Sequence, residues 1–195
     1  MDSIAHVLRC FEDGDVTHVE GAIDPVRDAE TVETELMLAD LDSLERRQTS
    51  AIKKARGGDK DTQPQLTIMN QVLALRREGK PARAFRPTAE EAPVLRQMQL
   101  LTDKPVLYVC NVEEASAAAG NALSAKLAAW AAAQGAGVVV VSAKIESEVA
   151  LLAEEAERRE FLETLHLTEP GLARVVRAGY ALLDLITFFT AGPKE

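Results

Sequence analysis

Three continuous apolar runs constrain the fold of this 195-residue chain more than any other feature of its sequence. They are rich in Val and Leu without regular alternation of polar and apolar residues, and they read AHVLRCF (5–11), PVLYVCN (105–111) and GVVVVSA (137–143). Strands that are covered on both faces have this pattern, and they occur in the parallel sheets of α/β proteins. The runs therefore predict three parallel strands in an α/β domain.

The segment between the second and third runs is rich in alanine and predicts a helix. It ends near Gly135 and Gly137, and glycine commonly closes helices. Strand, helix and strand then form one βαβ unit with a right-handed crossover. After the third run, amphipathic stretches predict two more helices, with a break at Pro170 and Gly171 and an apolar, strand-like end.

Far more residues separate the first and second runs than a crossover requires, and they predict a helical hairpin. We expect one helix from about Asp28 to the pair Gly57 and Gly58, and a second from about Gln63 to Glu78. Two long helices that are joined by the short segment GGDKD pack as an antiparallel pair. The hairpin is expected to be a short coiled coil.

Charge is distributed unevenly along the chain. The net charge of -9 argues against a surface that binds nucleic acid over its whole extent. Residues 45–60 nevertheless hold six basic against two acidic side chains, and residues 76–86 hold five against one. The first stretch supplies candidate contacts for RNA or the ribosome: Arg46, Arg47, Lys53, Lys54, Arg56 and Lys60. The alternative is a helix face that is only solvated, and the sequence leaves both open.

Other functional classes find little support. Cys10 and Cys110 each stand near the end of an apolar run, which predicts buried free thiols rather than a disulfide. His6, His18 and His166 share no metal-ligand spacing, so no metal site is predicted. No apolar stretch is long enough for a membrane span, and Met1 is not followed by a secretory signal, so we expect a cytoplasmic protein.

The residues NVEE, Asn111 to Glu114, follow the second run and admit two interpretations. As a capping box, Asn111 and Glu114 would bond the first backbone N–H groups of the next helix, and spacing alone favours this interpretation. As a binding loop, they would lie outside the carboxyl end of a parallel strand, where open α/β sheets bind ligands. Ser142 and Ala143 end the third run at the same edge, where Ser142 could equally cap a helix.

Longer stretches resemble the YchF family of Obg-like P-loop ATPases, also called the GTP-dependent nucleic-acid-binding protein EngD. The resemblance lies in AHVLRCFEDGDVTHVEGAIDP, KKARGGDKD, NVEE and EPGLARVVRAGYALLDLITFFTAGPKE, and it covers nearly the whole chain. It implies the C-terminal half of a Ras-like P-loop NTPase domain, formed by residues 1–27 and 87–195. The coiled-coil hairpin at 28–86 would be an insertion, and the family's TGS domain would be missing.

The resemblance also implies a site for the base of a nucleotide. In the family, Asn-x-x-Glu replaces the Asn-Lys-x-Asp motif of GTPases, whose short aspartate accepts hydrogen bonds from guanine N1–H and its exocyclic amine. Adenine has no such pair of donors, so loss of the aspartate removes the selection for guanine. The implied base-binding residues are Asn111, Val112, Glu114, Ser142 and Ala143. The implied ligand is ATP, or GTP, with Mg²⁺ in the parent protein, and the implied partner is the ribosome or RNA.

The sequence contains neither a Gly-x-x-x-x-Gly-Lys-Ser/Thr loop nor an Asp-x-x-Gly segment. Without the first there is no cradle for the phosphates, so we expect this chain alone to hydrolyse no nucleotide and to bind none tightly. In the Ras-like order a further strand would lie beside the first run, so we also expect self-association through that edge. Three functions stay open: part of a translation-associated ATPase or GTPase, a non-catalytic module that binds RNA or the ribosome, and a self-associating helical hairpin.

Overall fold

A computed structural model of the chain describes residues 2–12, 23–59 and 62–192. By packing, the chain forms two units: Met1–Asp28 with Val106–Glu195, and Ala29–Pro105. Residues 87–105 thus pack within the second, helical unit, beyond the boundary at residue 86 that the sequence suggested. The assignment of 28–86 as an inserted coiled-coil domain stays a prediction.

Three strands and seven α-helices lie within the described residues. The strands are β1 (Ile4–Arg9), β2 (Val106–Asn111) and β3 (Gly137–Val141). The helices are α1 (Pro25–Arg56), α2 (Thr62–Arg77), α3 (Glu91–Gln97), α4 (Ala122–Ala133), α5 (Ala143–Leu151), α6 (Glu155–Thr164) and α7 (Gly171–Leu182). Short 3₁₀ turns occur at Ala82–Ala84, Leu101–Asp103 and Glu114–Ser116.

The first unit is built on a parallel sheet in the order β1-β2-β3. Asn111 on β2 is aligned with Arg9 on β1 and with Val141 on β3, so all three strands end at one edge of the sheet. The predicted α/β fold with three parallel strands is therefore confirmed. The register follows from burial, because a slip of one residue would turn the apolar side chains of β2 to the opposite face.

The central strand β2 supplies the core of this unit. Leu107 and Val109 pack with Val141 and with side chains of α7. Tyr108, only 2% exposed, packs edge-on against Trp130 of α4, with ring centroids 5.4 Å apart. Both faces of the strand are thus covered, which explains its unbroken apolar sequence.

The second unit is held together by an apolar cluster and a buried ion pair. Leu44 and Ala51 of α1 lie in one cluster with side chains of α2, of α3 and of the 3₁₀ turn at Ala82–Ala84. Arg76 donates to Asp40 at 2.7 Å, and both side chains are almost completely buried. Asp40 also accepts from Thr102, from its backbone N–H at 2.9 Å and its hydroxyl at 2.7 Å. Arg76 therefore occupies its core-like position because a carboxylate compensates its charge.

None of the described helices has both the length and the apolar character that a membrane crossing would need. His18 and Lys60 lie outside the described residues.

Candidate functional site

A cleft of about 240 Å³ lies at the edge where the three parallel strands end. The described residues that line it lie at the ends of β1, β2 and β3 or within three residues after them, and they are Phe11, Glu12, Asn111, Val112, Glu113, Glu114, Ser142 and Lys144. This is the edge at which open α/β sheets bind ligands. Four of the five residues proposed to read a base, all but Ala143, line this one cleft.

Asn111 connects the loop after β2 to the loop after β3. Its Oδ1 accepts a hydrogen bond from the backbone N–H of Ala143 at 2.9 Å. The N–H of Val112 donates to the carbonyl of Val141 at 2.8 Å, so the backbone supports the same connection. The capping interpretation of Asn111 is therefore wrong, because the side-chain oxygen that a cap would use is bound to a different loop. The 3₁₀ turn at Glu114–Ser116 that follows has no side-chain cap.

Two polar groups of the cleft have no partner among the described residues. Ser142 is 2% exposed, yet its Oγ accepts and donates no hydrogen bond there, and it does not cap α5. The Nδ2 of Asn111 likewise donates to no atom of the described chain. Buried polar groups are almost always hydrogen-bonded, so the hydroxyl of Ser142 favours a ligand with polar atoms. Asn111 is only half-buried, and its Nδ2 could donate to the same ligand.

Glu114 and Lys144 form an ion pair at the cleft, with Nζ and Oε2 2.9 Å apart. The two side chains are 40% and 67% exposed. The hydrogen bond that Lys144 donates to Glu114 raises the pKa of Lys144, so the amine stays charged. The carboxylate of Glu114 is thus already paired with Lys144. Glutamate is also longer than the aspartate that the guanine-binding motif has at this place.

Glu113 and Asn121 form a second layer that fixes the loop after β2. Glu113 accepts from the hydroxyl of Ser116 and from Nδ2 of Asn121, the latter at 3.0 Å. The bond from Ser116 is the main cause that lowers the pKa of Glu113. The same Asn121 amide donates to the carbonyl of Cys10 at 2.6 Å, and its Oδ1 closes a capping box with Ser124 at the start of α4. Asn121 therefore ties the ends of β1 and α4 to the loop.

Sequence reasoning missed Asn121, although its signal was readable. Asn followed three residues later by Ser, directly before an alanine-rich run, is a capping-box pattern. Cys10 and Cys110 are free and fully buried beneath this layer, as predicted. A hydrogen bond to Cys110, followed by burial, raises the pKa of Cys10.

The five described residues among the six candidate RNA contacts all lie on the C-terminal half of α1, in the helical unit. They are exposed, and in the described chain none of them pairs with an acidic side chain: Arg46, Arg47, Lys53, Lys54 and Arg56. Arg46 and Arg47 each donate to a backbone carbonyl, of Asp42 and of Met98. The sixth residue, Lys60, lies outside the described residues.

Among the described residues, no three His, Cys, Asp or Glu side chains group closely enough to hold a metal ion.

Comparisons with known proteins give consistent results. No protein-family model matches the chain. It is 44% identical over its whole length to "Ribosome-binding ATPase YchF" of Bacillus subtilis (strain 168) and 46% identical to the protein of that name from Haemophilus influenzae, covering 54% and 53% of them. It is 36% identical to "Obg-like ATPase 1" of Rattus norvegicus, covering 100% of this chain and 50% of that one.

A solved structure agrees. The "Structure of the Schizosaccharomyces pombe YchF GTPase" superposes with a TM-score of 0.83 at 27% identity, over 98% of this chain and 52% of that one. The chain thus spans about half the length of the curated relatives it matches. The names differ in the nucleotide they give, ATP for the curated relatives and GTP for the solved structure.

Proposed function

The chain is a homologue of the YchF and Obg-like ATPases, and we propose that it supplies the base-recognition half of a P-loop nucleoside triphosphatase that acts in translation. The hydrolase activity belongs in this proposal to the whole protein. The hydrogen bond from Ala143 to Asn111 is the observation that carries the proposal for the site, because it sets which atoms remain for a base.

The free atoms of Asn111 fit adenine. An asparagine amide can bind adenine with two hydrogen bonds, donating to N7 and accepting from the amine on N6. Nδ2 of Asn111 is available to donate, and Oδ1 has a second lone pair beside the bond from Ala143. Guanine presents an oxygen where adenine has the amine, and that oxygen would face the Oδ1 acceptor. The amide therefore favours adenine.

The neighbouring residues support the same preference. Guanine recognition needs a free, short carboxylate for N1–H and the exocyclic amine, whereas Glu114 is paired with Lys144. The N–H of Ala143, which could donate to the guanine oxygen, is already bound to Asn111. Ser142 and the backbone of Val112 complete the wall of the cleft, and the Ser142 hydroxyl can bond a polar edge of the base.

This chain's residues do not fit the rest of the nucleotide. The sequence has no Walker-type loop for the phosphates, and the described residues offer no metal cluster. We therefore assign no phosphate or Mg²⁺ contact to this chain, and we expect it to bind the base weakly and to hydrolyse nothing.

Nucleoside binding to the isotope-labelled chain tests the base site. In ¹H–¹⁵N spectra, adenosine should shift the amides of 111–114 and 142–144 with a Kd on the order of 1 mM, corresponding to about 4 kcal/mol. Guanosine should shift them several-fold less at equal concentration. Asn111→Ala should abolish the adenosine shifts, whereas Asn70→Ala, the same change on α2 of the helical unit, should leave them intact. Equal shifts with both nucleosides, or shifts confined to other residues, would contradict the proposal.

We also propose that the basic residues of α1 contribute to ribosome association. The support is the exposure of five cations on one helix that pair with no acidic side chain of the described residues, together with the word "ribosome-binding" in the names of the bacterial relatives. Co-sedimentation with ribosomes should weaken steeply with salt and with Lys53→Glu plus Arg56→Glu. Binding that this pair of changes leaves unaltered would mean that α1 presents only a solvated face.

A further inference from the structure

A second cavity, of about 380 Å³, lies within the helical unit beside the basic half of α1. Its volume is in the range of sites that bind small organic molecules. The innermost lining residues are Ala51, Met69 and Met98, which are 6%, 5% and 3% exposed, with Val94 half-buried beside them. The cavity therefore has an apolar floor, which two methionine side chains dominate.

Two cations that form no ion pair with a described residue stand at the rim of this cavity. Arg47 and Lys54 are both exposed and both line it, and seven residues place them two turns apart on the same face of α1, about 10 Å along the axis. The Nη1 of Arg47 donates to the carbonyl of Met98 at 2.5 Å, which holds the guanidinium at the rim. The acidic residue in the described lining, Asp59, already accepts from the hydroxyl of Thr62.

Neutral polar side chains occupy the rest of the wall. Gln65 and Gln97 carry amide groups, and Ser50 carries a hydroxyl, and all three line the cavity. Amides and hydroxyls both donate and accept, so they can bond the edge of a planar heterocycle whose faces rest on apolar atoms. Methionine sulfur makes favourable contacts with aromatic rings.

We propose that this cavity binds one unpaired nucleotide of a single-stranded RNA segment. The base would lie on the floor formed by Met69 and Met98, its edge would bond the glutamine amides, and the flanking phosphates would pair with Arg47 and Lys54. RNA fits because bases in single-stranded loops can turn out of the stack into protein pockets. An acidic peptide would satisfy the cations, but it would leave the apolar floor uncovered. The inference rests on the proposed association of α1 with the ribosome and gives it a specific contact.

The structure divides the basic residues of α1 into two groups with different expected roles. Arg46 and Lys53 are also seven residues apart, but neither lines the cavity. Arg46 and Lys53 can contact phosphates, and their contribution to affinity should not depend on whether the strand carries a base. Arg47 and Lys54 hold the phosphates of the nucleotide whose base enters the cavity. Removing the charge of this pair alone should therefore also weaken binding of the base.

Binding of a fluorescent nine-nucleotide oligouridylate to the full chain tests the proposal against an abasic ribose-phosphate strand of the same length. Both strands carry the same charge, so the difference between their Kd values isolates the base. We expect the intact strand to bind about tenfold more tightly. Ser50→Leu, which fills the cavity without altering charge, should remove this advantage. Thr49→Leu, the neighbouring exposed position outside the cavity, should preserve it.

The charge variants give a second readout. Arg47→Gln with Lys54→Gln should weaken the intact strand more than the abasic strand, whereas Arg46→Gln with Lys53→Gln should weaken both by the same factor. Circular dichroism checks that each variant is folded. Equal affinity for the intact and abasic strands would overturn the cavity site while leaving ribosome association standing.

Two further outcomes separate the rival explanations. Polyglutamate that displaces the oligouridylate from the wild type, and does so less well from Ser50→Leu, would assign the cavity to a protein partner and overturn the RNA proposal. If neither strand binds at low salt and the chain fails to co-sediment with ribosomes, both the cavity site and the association proposed for α1 fall.

Discussion

At the scale of single residues, the pairing of Glu114 with Lys144 has a consequence for which base the cleft accepts. Lys144→Ala with Glu114→Asp would place a free, short carboxylate in the loop, as guanine recognition requires. We expect the ratio of adenosine to guanosine affinity to fall about tenfold, since a hydrogen bond to a charged group is worth about 1.5–3 kcal/mol. Nucleoside titrations monitored by NMR measure the ratio. Lys144→Ala alone, the control, should change it little, and an unaltered ratio in the double variant would argue against this role of the loop.

The buried pair of Asp40 and Arg76 makes a prediction about stability. Burial lowers the pKa of Arg76, and Asp40 opposes this by compensating its charge. Asp40→Ala would leave that charge unpaired and would also remove the acceptor for the backbone of Leu101 and Thr102. We expect a loss of about 3–5 kcal/mol in the free energy of unfolding, measured with urea. Asp42→Ala, an exposed change on the same helix, should cost under about 1 kcal/mol; equal effects would contradict the buried-pair argument.

Asp103 makes a prediction that depends on pH. Burial raises the pKa of its carboxyl above the ordinary 3.8, so the charged form destabilises the folded chain relative to the unfolded one. This cost is fully present at neutral pH and disappears as the pH falls through the folded pKa toward 3.8. Asp103→Asn should therefore raise Tm at about pH 7, and the gain should shrink on acidification. A gain that is constant across this range would point to a cause other than ionisation.

At the scale of elements, helix α7 begins on a carboxylate from α5. Glu146 accepts from the N–H of Gly171 at 2.6 Å and from that of Leu172 at 3.0 Å, which satisfies two donors at the start of α7. Glu146→Ala should destabilise the first unit by about 1 kcal/mol in urea unfolding, while Glu146→Gln, which keeps one acceptor, should cost less. A Cβ on Gly171 would lie 2.8 Å from Oε1 of Glu146, so Gly171→Ala should act in the same direction. No difference between the Ala and Gln variants would contradict the cap.

The elements differ in how far sequence could predict them. Strand β2 was readable because burial on both faces leaves an unbroken apolar run, and α1 only began three residues earlier than expected, at Pro25. Strand β1 was found by the same pattern, but Ala5 and Val7 are exposed within the described chain, so the expectation that both of its faces are covered is wrong there. Asp24 fixes that start by accepting from the N–H groups of Val26 and Arg27. The apolar end after α7 was expected to be strand-like, but its described residues, 185–192, form neither a strand nor a helix. An apolar, strand-like sequence does not show whether a second β-strand is available to pair with it.

The site was predictable in position but not in its bonds. Asn111 and Ser142 were placed at one edge because parallel strands end together. The bond from Ala143 to Asn111 joins residues 32 positions apart, and the pair of Lys144 with Glu114 joins residues 30 apart. Both depend on the register of β2 and β3, which spacing along the chain does not contain. Spacing along the chain therefore favoured Asn111 as a helix cap, but the hydrogen bond from Ala143, which is distant in sequence, uses the same side-chain oxygen.

At the scale of the whole molecule, two apolar surfaces remain uncovered in the described chain. Strand β1 pairs with β2 alone among the described strands, and Val7 on it is 62% exposed. The irregular segment after α7 exposes Ile186, Phe188 and Phe189 by 84%, 77% and 101%. Unpaired strand edges and exposed apolar residues both promote association between chains. We therefore predict that the chain self-associates, and either of these two surfaces could provide the contact.

We propose that β1 is the edge through which this chain self-associates, and sedimentation velocity over a range of concentrations tests it. The wild type should shift toward a dimer or larger species as concentration rises. Val7→Lys, which places a charge on the edge strand, should keep the chain monomeric, because a lysine on an edge must be desolvated when a second strand pairs there. Val32→Lys makes the same change at a 40% exposed position on α1 and should leave association unaltered. If Phe188→Ser with Phe189→Ser abolishes association while Val7→Lys does not, the irregular segment after α7 is the contact and the edge is not. A wild type that stays monomeric at high concentration would contradict both, since it would show that the exposed edge and the exposed phenylalanines together provide too little free energy to hold two copies.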